Sequence, residues 1–230
     1  MLTTALALLT AHLIADYPLQ NGWMVENKKK PAAMALHIFV VFALTLLALR
    51  GEIWPALTIA GLHLFIDLIK THLAAETLAS YLSDQLAHLA TLAAVLWFWP
   101  ALGDLWPEAT PFTQYLLTLA SGLILCVLAG GPAIGLLMKD FATGVQDSLP
   151  NAGKMIGLLE RSVIFLLVLA GHPAGVGFLI AAKSILRFDK DPKASEYVII
   201  GTLASFGWAL LISFATLALI TFYGIAPAPS

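Results

Sequence analysis

Three pairs of imidazole and carboxylate side chains, His12 with Asp16, His63 with Asp67, and Asp84 with His88, recur at a spacing of four residues. On an α-helix that spacing puts both members of a pair on one face, a turn apart. The surrounding residues are almost wholly apolar. Ionisable groups inside lipid are costly, so six of them on three such helices call for a shared reason. A divalent metal ion held between helices is one. Imidazole nitrogen and carboxylate oxygen together suit Zn, Mn or Fe, with Zn favoured. His37, on the intervening helix, adds a candidate from a fourth helix. The candidate ligands are therefore His12, Asp16, His37, His63, Asp67, Asp84 and His88. A carboxylate that does not bind the ion can orient a ligand imidazole or serve as general base, and Asp16 and Asp84 are the candidates for catalysis. The alternative is that these are hydrogen-bonded pairs that only hold helices together.

The elements that must position these groups are membrane helices. The chain has 230 residues, 60% of them hydrophobic and 11% charged, with a mean hydropathy of +0.88. That composition is typical of a polytopic membrane protein and predicts an all-α transmembrane helix bundle. The net charge of -2 carries little information about partners, and no extended basic surface points to nucleic acid. Membrane lipid and an anionic substrate are the expected partners, and a homo-oligomer is left open. Cys126 is the only cysteine, which excludes an intrachain disulfide and a thiolate metal cluster. The apolar N-terminus lacks a basic leader region and reads as a retained first helix.

Hydrophobic runs and Pro or Gly breaks divide the chain into about eight helical segments. They run over 2–19, 32–50, 54–75, 80–100, 112–138, 153–170, 173–187 and 196–223. Residues 1–100 form a four-helix half with the His/Asp groups, and residues 101–230 a second half, within one integrated membrane domain. The segment 173–187 is short for a span, which usually needs ~17–25 residues. Gly130–Gly131–Pro132 reads as a kink in the fifth helix.

Basic loops set the orientation. Lys28, Lys29 and Lys30, then Lys139 and Lys154, then Arg187, Lys190 and Lys193 fall on one side if all eight segments span. That side is then cytoplasmic, in a bacterial inner membrane, with both termini opposite. At ~1.5 Å per residue the His/Asp groups occupy one layer at the cytoplasmic side.

Around that layer lie candidate substrate contacts. Lys70 follows Asp67 by three residues, on the same face, and neutralises the carboxylates, meets an anionic substrate or, the simplest reading, reaches for the interface. Gln20 and Gln85 can support ligands or touch substrate. His72, near a helix end, reads as interfacial. The second half carries Glu160, Arg161, Lys183, Arg187 and Glu196. Arg161, Lys183 and Arg187 can hold phosphate or carboxylate. Ion pairs between helices, such as Glu160 with Lys183 or Arg161 with Glu196, are the simpler reading. The loop 139–154, with Lys139, Asp140, Asp147, Asn151 and Lys154, can cover such a cleft.

The ordered motifs HLIADYPLQ, HLFIDLIK and DQLAHL, with the His37 helix between the first two, resemble a bacterial membrane-protein family catalogued as domain of unknown function 3307. GLLERSVIFLLVLAG, GFLIAAKSILRF and EYVIIGTLASFGWAL resemble longer members. The resemblance implies an integral inner-membrane protein and lends no activity. A looser similarity to membrane-bound metal-dependent hydrolases, whose helices also carry His and Asp motifs, implies hydrolysis by analogy. The expected function is metal-dependent hydrolysis of a lipid or other phosphate-bearing substrate. A divalent-cation or proton transporter and a metal-stapled scaffold are the alternatives.

Overall fold

A computed structural model of the chain describes residues 1–141, 152–186 and 192–224, which are almost entirely helical. Helix α1 (Leu2–Asp16) starts directly after Met1 and stops just ahead of Pro18, which cannot continue the ladder. A short helix, α2 (Gly22–Glu26), lies in what reads from the sequence as a plain loop. The side chain of Asn21 caps it by accepting from the Met24 N–H. Helix α3 (Pro31–Ala48) opens with proline in its first turn, where no donor is needed. Arg50 and Gly51 both take positive φ, 53° and 96°, and turn the chain back into α4 (Ile53–Leu73). Arg50 is held in that conformation by an ion pair to Glu108 and by stacking over Trp106. Helix α5 (Leu78–Phe98), capped by Thr77, follows.

Pro100–Asp104 forms a 3-10 turn that ties the end of α5 to the start of α1. The Met1 amino group donates to Gly103 O (2.7 Å) and Thr4 Oγ1 to Leu102 O (2.8 Å). Helix α6 (Pro111–Leu123) then runs through a π-turn (Ile124–Ala129) into α7 (Gly130–Met138). Helices α8 (Ala152–Leu169), α9 (Gly175–Leu186) and α10 (Pro192–Phe222) complete the described chain.

Helix α1 packs on α3, α5 and α6, while α3 packs on α4 and α4 on α5. One apolar core, with Leu8, Leu49, Ile59 and Val95, binds these helices. A second, with Cys126, Ile164, Phe165 and Phe206, joins the π-turn to α8, α9 and α10. The long α6–α7 element belongs to both. Its contact with α10 is close: a Cβ on Gly122 would lie 2.3 Å from Thr216 Oγ1.

Four stretches are long and apolar enough to cross a membrane: Pro31–Ala48, Ile53–Leu73, Pro111–Phe141 and Ser195–Phe222. Helix α1, with 15 residues, is shorter. Helix α9 has 12 residues, about 18 Å of helix against a hydrocarbon core of about 30 Å. The outside of the bundle is apolar. Trp54, Trp97 and Phe98 are each more than 70% exposed and sit together at the α4 start and α5 end. Aromatic side chains gathered at one end of apolar helices suit the boundary between lipid and water. The chain is a helical membrane protein.

Candidate metal centre

Four helices of the first half, α1, α3, α4 and α5, each bring one or two donors inward. On α1 and α4 the four-residue spacing aligns His12 with Asp16 and His63 with Asp67. On α5 it aligns Asp84 with His88. Helix α3 turns His37 toward them. His12, His37, His63, Asp67 and His88 are all buried, and the Asp16 and Asp84 side chains are 10% and 12% exposed.

The centre of the group is a quartet. His37 Nε2 and His63 Nε2 are 3.1 Å apart. Asp16 Oδ1 lies 3.6 Å from the first and 3.4 Å from the second. Asp67 Oδ2 lies 3.3 Å and 3.6 Å from the same two atoms. A tetrahedron around Zn with bonds of ~2.0–2.1 Å has edges of about 3.3 Å. Five edges of the quartet therefore match the spacing of ligands around one tetrahedral ion.

Beside the quartet stand His12, His88 and Asp84. The His63 and His88 rings are 4.0 Å apart between centroids, and the His12 and His88 rings 5.2 Å. Donor atoms of His12, Asp16 and His88, and likewise of His63, Asp67 and His88, lie within 4.8 Å of one another.

The hydrogen bonding of these groups is what tests the fit of a metal. His12 Nε2, Asp16 Oδ1, His37 Nδ1, Asp67 Oδ2, Asp84 Oδ1 and both ring nitrogens of His88 are buried without a hydrogen-bond partner. Buried polar atoms are nearly always satisfied, and a cluster of unsatisfied ones needs an explanation. Thr71 Oγ1 is the one such side-chain atom outside the cluster among the described residues. The imidazoles carry at most one N–H each, too few to satisfy all the carboxylate oxygens and ring nitrogens that converge here at ligand spacing, and a cation would neutralise the remainder. These buried His and Asp groups can hold a metal ion.

Gln85 orders the two carboxylates. Its amide nitrogen donates to Asp16 Oδ2 (3.4 Å) and to Asp84 Oδ2 (3.3 Å). In both residues the Oδ1 atom is the one left facing the cluster. Tyr17 and Tyr81 join this arrangement although their motifs do not announce it. The Tyr17 hydroxyl donates to Gln85 Oε1 (3.1 Å) and lies against the Tyr81 hydroxyl. Tyr81 OH also reaches Ala129 O of the π-turn (3.1 Å), linking the site to the second half. Tyr81 precedes Asp84 by three residues, so helix periodicity was a signal for it. Lys70 Nζ lies over the Tyr81 ring at 5.9 Å, at the edge of the group. Exposed His72 turns back to its own helix, against Leu68 O.

The cationic residues of the second half have other partners. Lys183 pairs with Glu160 at 2.7 Å. The buried Arg161 pairs with no carboxylate among the described residues, Glu196 included. It donates through Nε (3.2 Å) and Nη2 (2.9 Å) to Val127 O and through Nη1 to Ser205 Oγ (3.2 Å). The π-turn explains the first contact. In its i to i+5 register Val127 O would pair with residue 132, a proline without an N–H, and the guanidinium takes that place. Arg187, Asp147 and Asn151 lie outside the described residues.

No curated protein and no solved structure matches the chain. The family described as "Protein of unknown function (DUF3307)" matches residues 4–117, and this stretch, which contains all seven metal-ligand candidates, belongs to that family.

Proposed function

We propose that this is a metal-dependent hydrolase of the bacterial inner membrane, acting on an anionic, phosphate-bearing or lipid substrate from the cytoplasmic side. The observation that supports it is the number of donors. Four atoms at tetrahedral spacing suffice for one ion, yet Asp84, His88 and His12 stand directly beside them with unpaired atoms. That surplus suits a second ion, or one ion plus a general base. A bound divalent ion would supply Lewis acidity to a water and to the scissile group at neutral pH. The chain's own residues do the rest. His37, His63 and Asp67 are the ligand set that we favour for an ion that keeps one position open. Asp84 Oδ1 accepts the proton of the attacking water. Gln85 keeps Asp16 and Asp84 aimed inward, and Lys70 at the edge meets the negative charge of the substrate. The basic loops, Lys28–Lys30 foremost, support a cytoplasmic position for this edge, because positive charge in short loops favours that side. Zn suits a His/Asp set of this kind, with Mn and Fe as alternatives.

A second reading has its own support. The space adjoining His12, His63 and His88 is only about 10 Å³, and four protein ligands around one ion make a closed site. Closed sites are structural. In that reading the ion staples α1, α3, α4 and α5 into a scaffold.

The deciding experiment begins with metal content by mass spectrometry on detergent-purified, unchelated chain and on a His12→Ala, His63→Ala, His88→Ala triple variant. A near-stoichiometric metal lost in the variant is the expected result, and its absence from the wild type sinks both readings. Metal-dependent turnover of phosphate-ester lipids, lost in Asp84→Asn with metal retained, selects the hydrolase. Unfolding on chelation without turnover selects the staple.

A further inference from the structure

Between α7, α8 and α10 lies a cavity of about 720 Å³, in the half of the chain away from the His/Asp helices. Arg161 forms part of its wall and is only 4% exposed. A buried charge without a counter-charge is expensive, and no carboxylate among the described residues pairs with this one. Glu160, the acidic residue of the wall, is taken by Lys183. The exposed Lys139 and Lys154 add positive charge to the lining. Lys139 pairs with Glu76, whereas Lys154 is exposed and has no ion pair among the described residues.

The guanidinium has five N–H donors, of which its bonds to Val127 O and Ser205 Oγ occupy three. One N–H remains on each of Nη1 and Nη2. That fork matches two oxygens of a phosphate group. One glycine keeps it open: a Cβ on Gly157 would lie 2.9 Å from Nη1, whereas one on Gly131 would make only an ordinary contact with Nη2, at 3.6 Å. Gly157 and Lys154 precede Arg161 by four and seven residues, so all three share the α8 face that lines the cavity.

We propose that this cavity is a second site that binds a phosphate-bearing anion, with Arg161 as its buried anchor and Lys154 at its rim. The site requires no metal and stands whether or not the His/Asp centre is catalytic. Its apolar wall, with Ile134, Met138 and Val198, suits a phospholipid whose headgroup enters first. Free phosphate would use the same anchor.

Native mass spectrometry of the full detergent-purified chain, titrated with phosphatidylglycerol or phosphatidylcholine and separately with inorganic phosphate, tests this. Both lipids carry phosphate, but only phosphatidylglycerol is a net anion. The expected result is about tenfold tighter binding of phosphatidylglycerol, lost in Arg161→Gln and reduced in Lys154→Gln and Gly157→Ala. It should persist in His63→Ala, which separates this site from the metal centre. Displacement of the lipid by inorganic phosphate identifies a site for the free ion, and no displacement identifies a lipid headgroup site. If Arg161→Gln fails to fold, the exposed Lys154→Gln and the Gly157→Ala variants carry the test. Equal binding of the two lipids without phosphate binding overturns the proposal. So does a preference unchanged in both of those variants.

Discussion

His37 Nε2 and His63 Nε2 face each other at 3.1 Å across the contact of α3 and α4, with a carboxylate oxygen of Asp16 and one of Asp67 within 3.6 Å of both. One shared proton can satisfy the imidazoles but leaves two carboxylate oxygens buried beside them. A divalent cation satisfies all four atoms at once. We expect His63→Ala to abolish stoichiometric metal in the purified chain and His72→Ala to leave it intact. Elemental analysis of the two variants checks this, and equal metal content in both would refute the quartet.

Metal and protons compete for the same atoms, because the ligands must be neutral imidazole and ionised carboxylate. Metal affinity therefore falls as pH falls, and so does the stability that the ion contributes. With free metal at about a thousand times its dissociation constant, that contribution is about 4 kcal/mol. Melting temperature measured across pH, with and without chelator, should give two curves that converge in acid. Curves that coincide at neutral pH would show that no ion supports the fold.

Gln85 holds the outer oxygens of Asp16 and Asp84 through one amide group. Partners of this kind typically cost ~10–100-fold in metal affinity or activity when removed. Gln85→Ala should show that loss in a competition titration while still binding metal. Gln85→Glu should lose more activity than affinity, because it places a third carboxylate beside the pair.

Arg161 donates twice to Val127 O, the carbonyl that an i to i+5 register would set opposite Pro132. Arg161→Leu leaves Val127 O without its donor, a loss of about 1–3 kcal/mol from that atom alone. In a Pro132→Ala background, residue 132 can supply the missing N–H, so the same substitution should cost less. A double-mutant cycle on thermal or denaturant unfolding reads this coupling, and strict additivity would argue against the substitution of one donor for the other.

Gly122 meets Thr216 where α6 crosses α10. Gly122→Ala should destabilise the chain by about 1–3 kcal/mol through overpacking. Adding Thr216→Ala removes the two nearest atoms, at 2.3 Å and 2.8 Å, and should recover most of the loss. Unfolding measurements on both variants decide it.

The helical class, the apolar exterior and the pairing of His with Asp on single helices were legible in the sequence, because composition and the helix repeat are local properties. A carboxylate four residues from an imidazole shares its face whatever the rest of the chain does. The family was legible too, through three motifs in fixed order. The ion pair of Lys183 with Glu160 was among the readings that charge and position allow.

Other features depend on how the helices are rotated against one another. Asp16 approaches His37 and His63 more closely than its own helix partner His12, at 3.6 Å and 3.4 Å against 3.9 Å. No spacing along the chain encodes that order. The roles of Tyr17 and Tyr81 arise in the same way, from side chains of α1 and α5 meeting at one end of the bundle. Arg161 is the clearest case. Its charge is visible in the sequence, but its partner is a backbone carbonyl of the π-turn on another element. Local patterns determine which residues face inward, whereas packing decides which atoms meet, because that depends on helix rotation and depth.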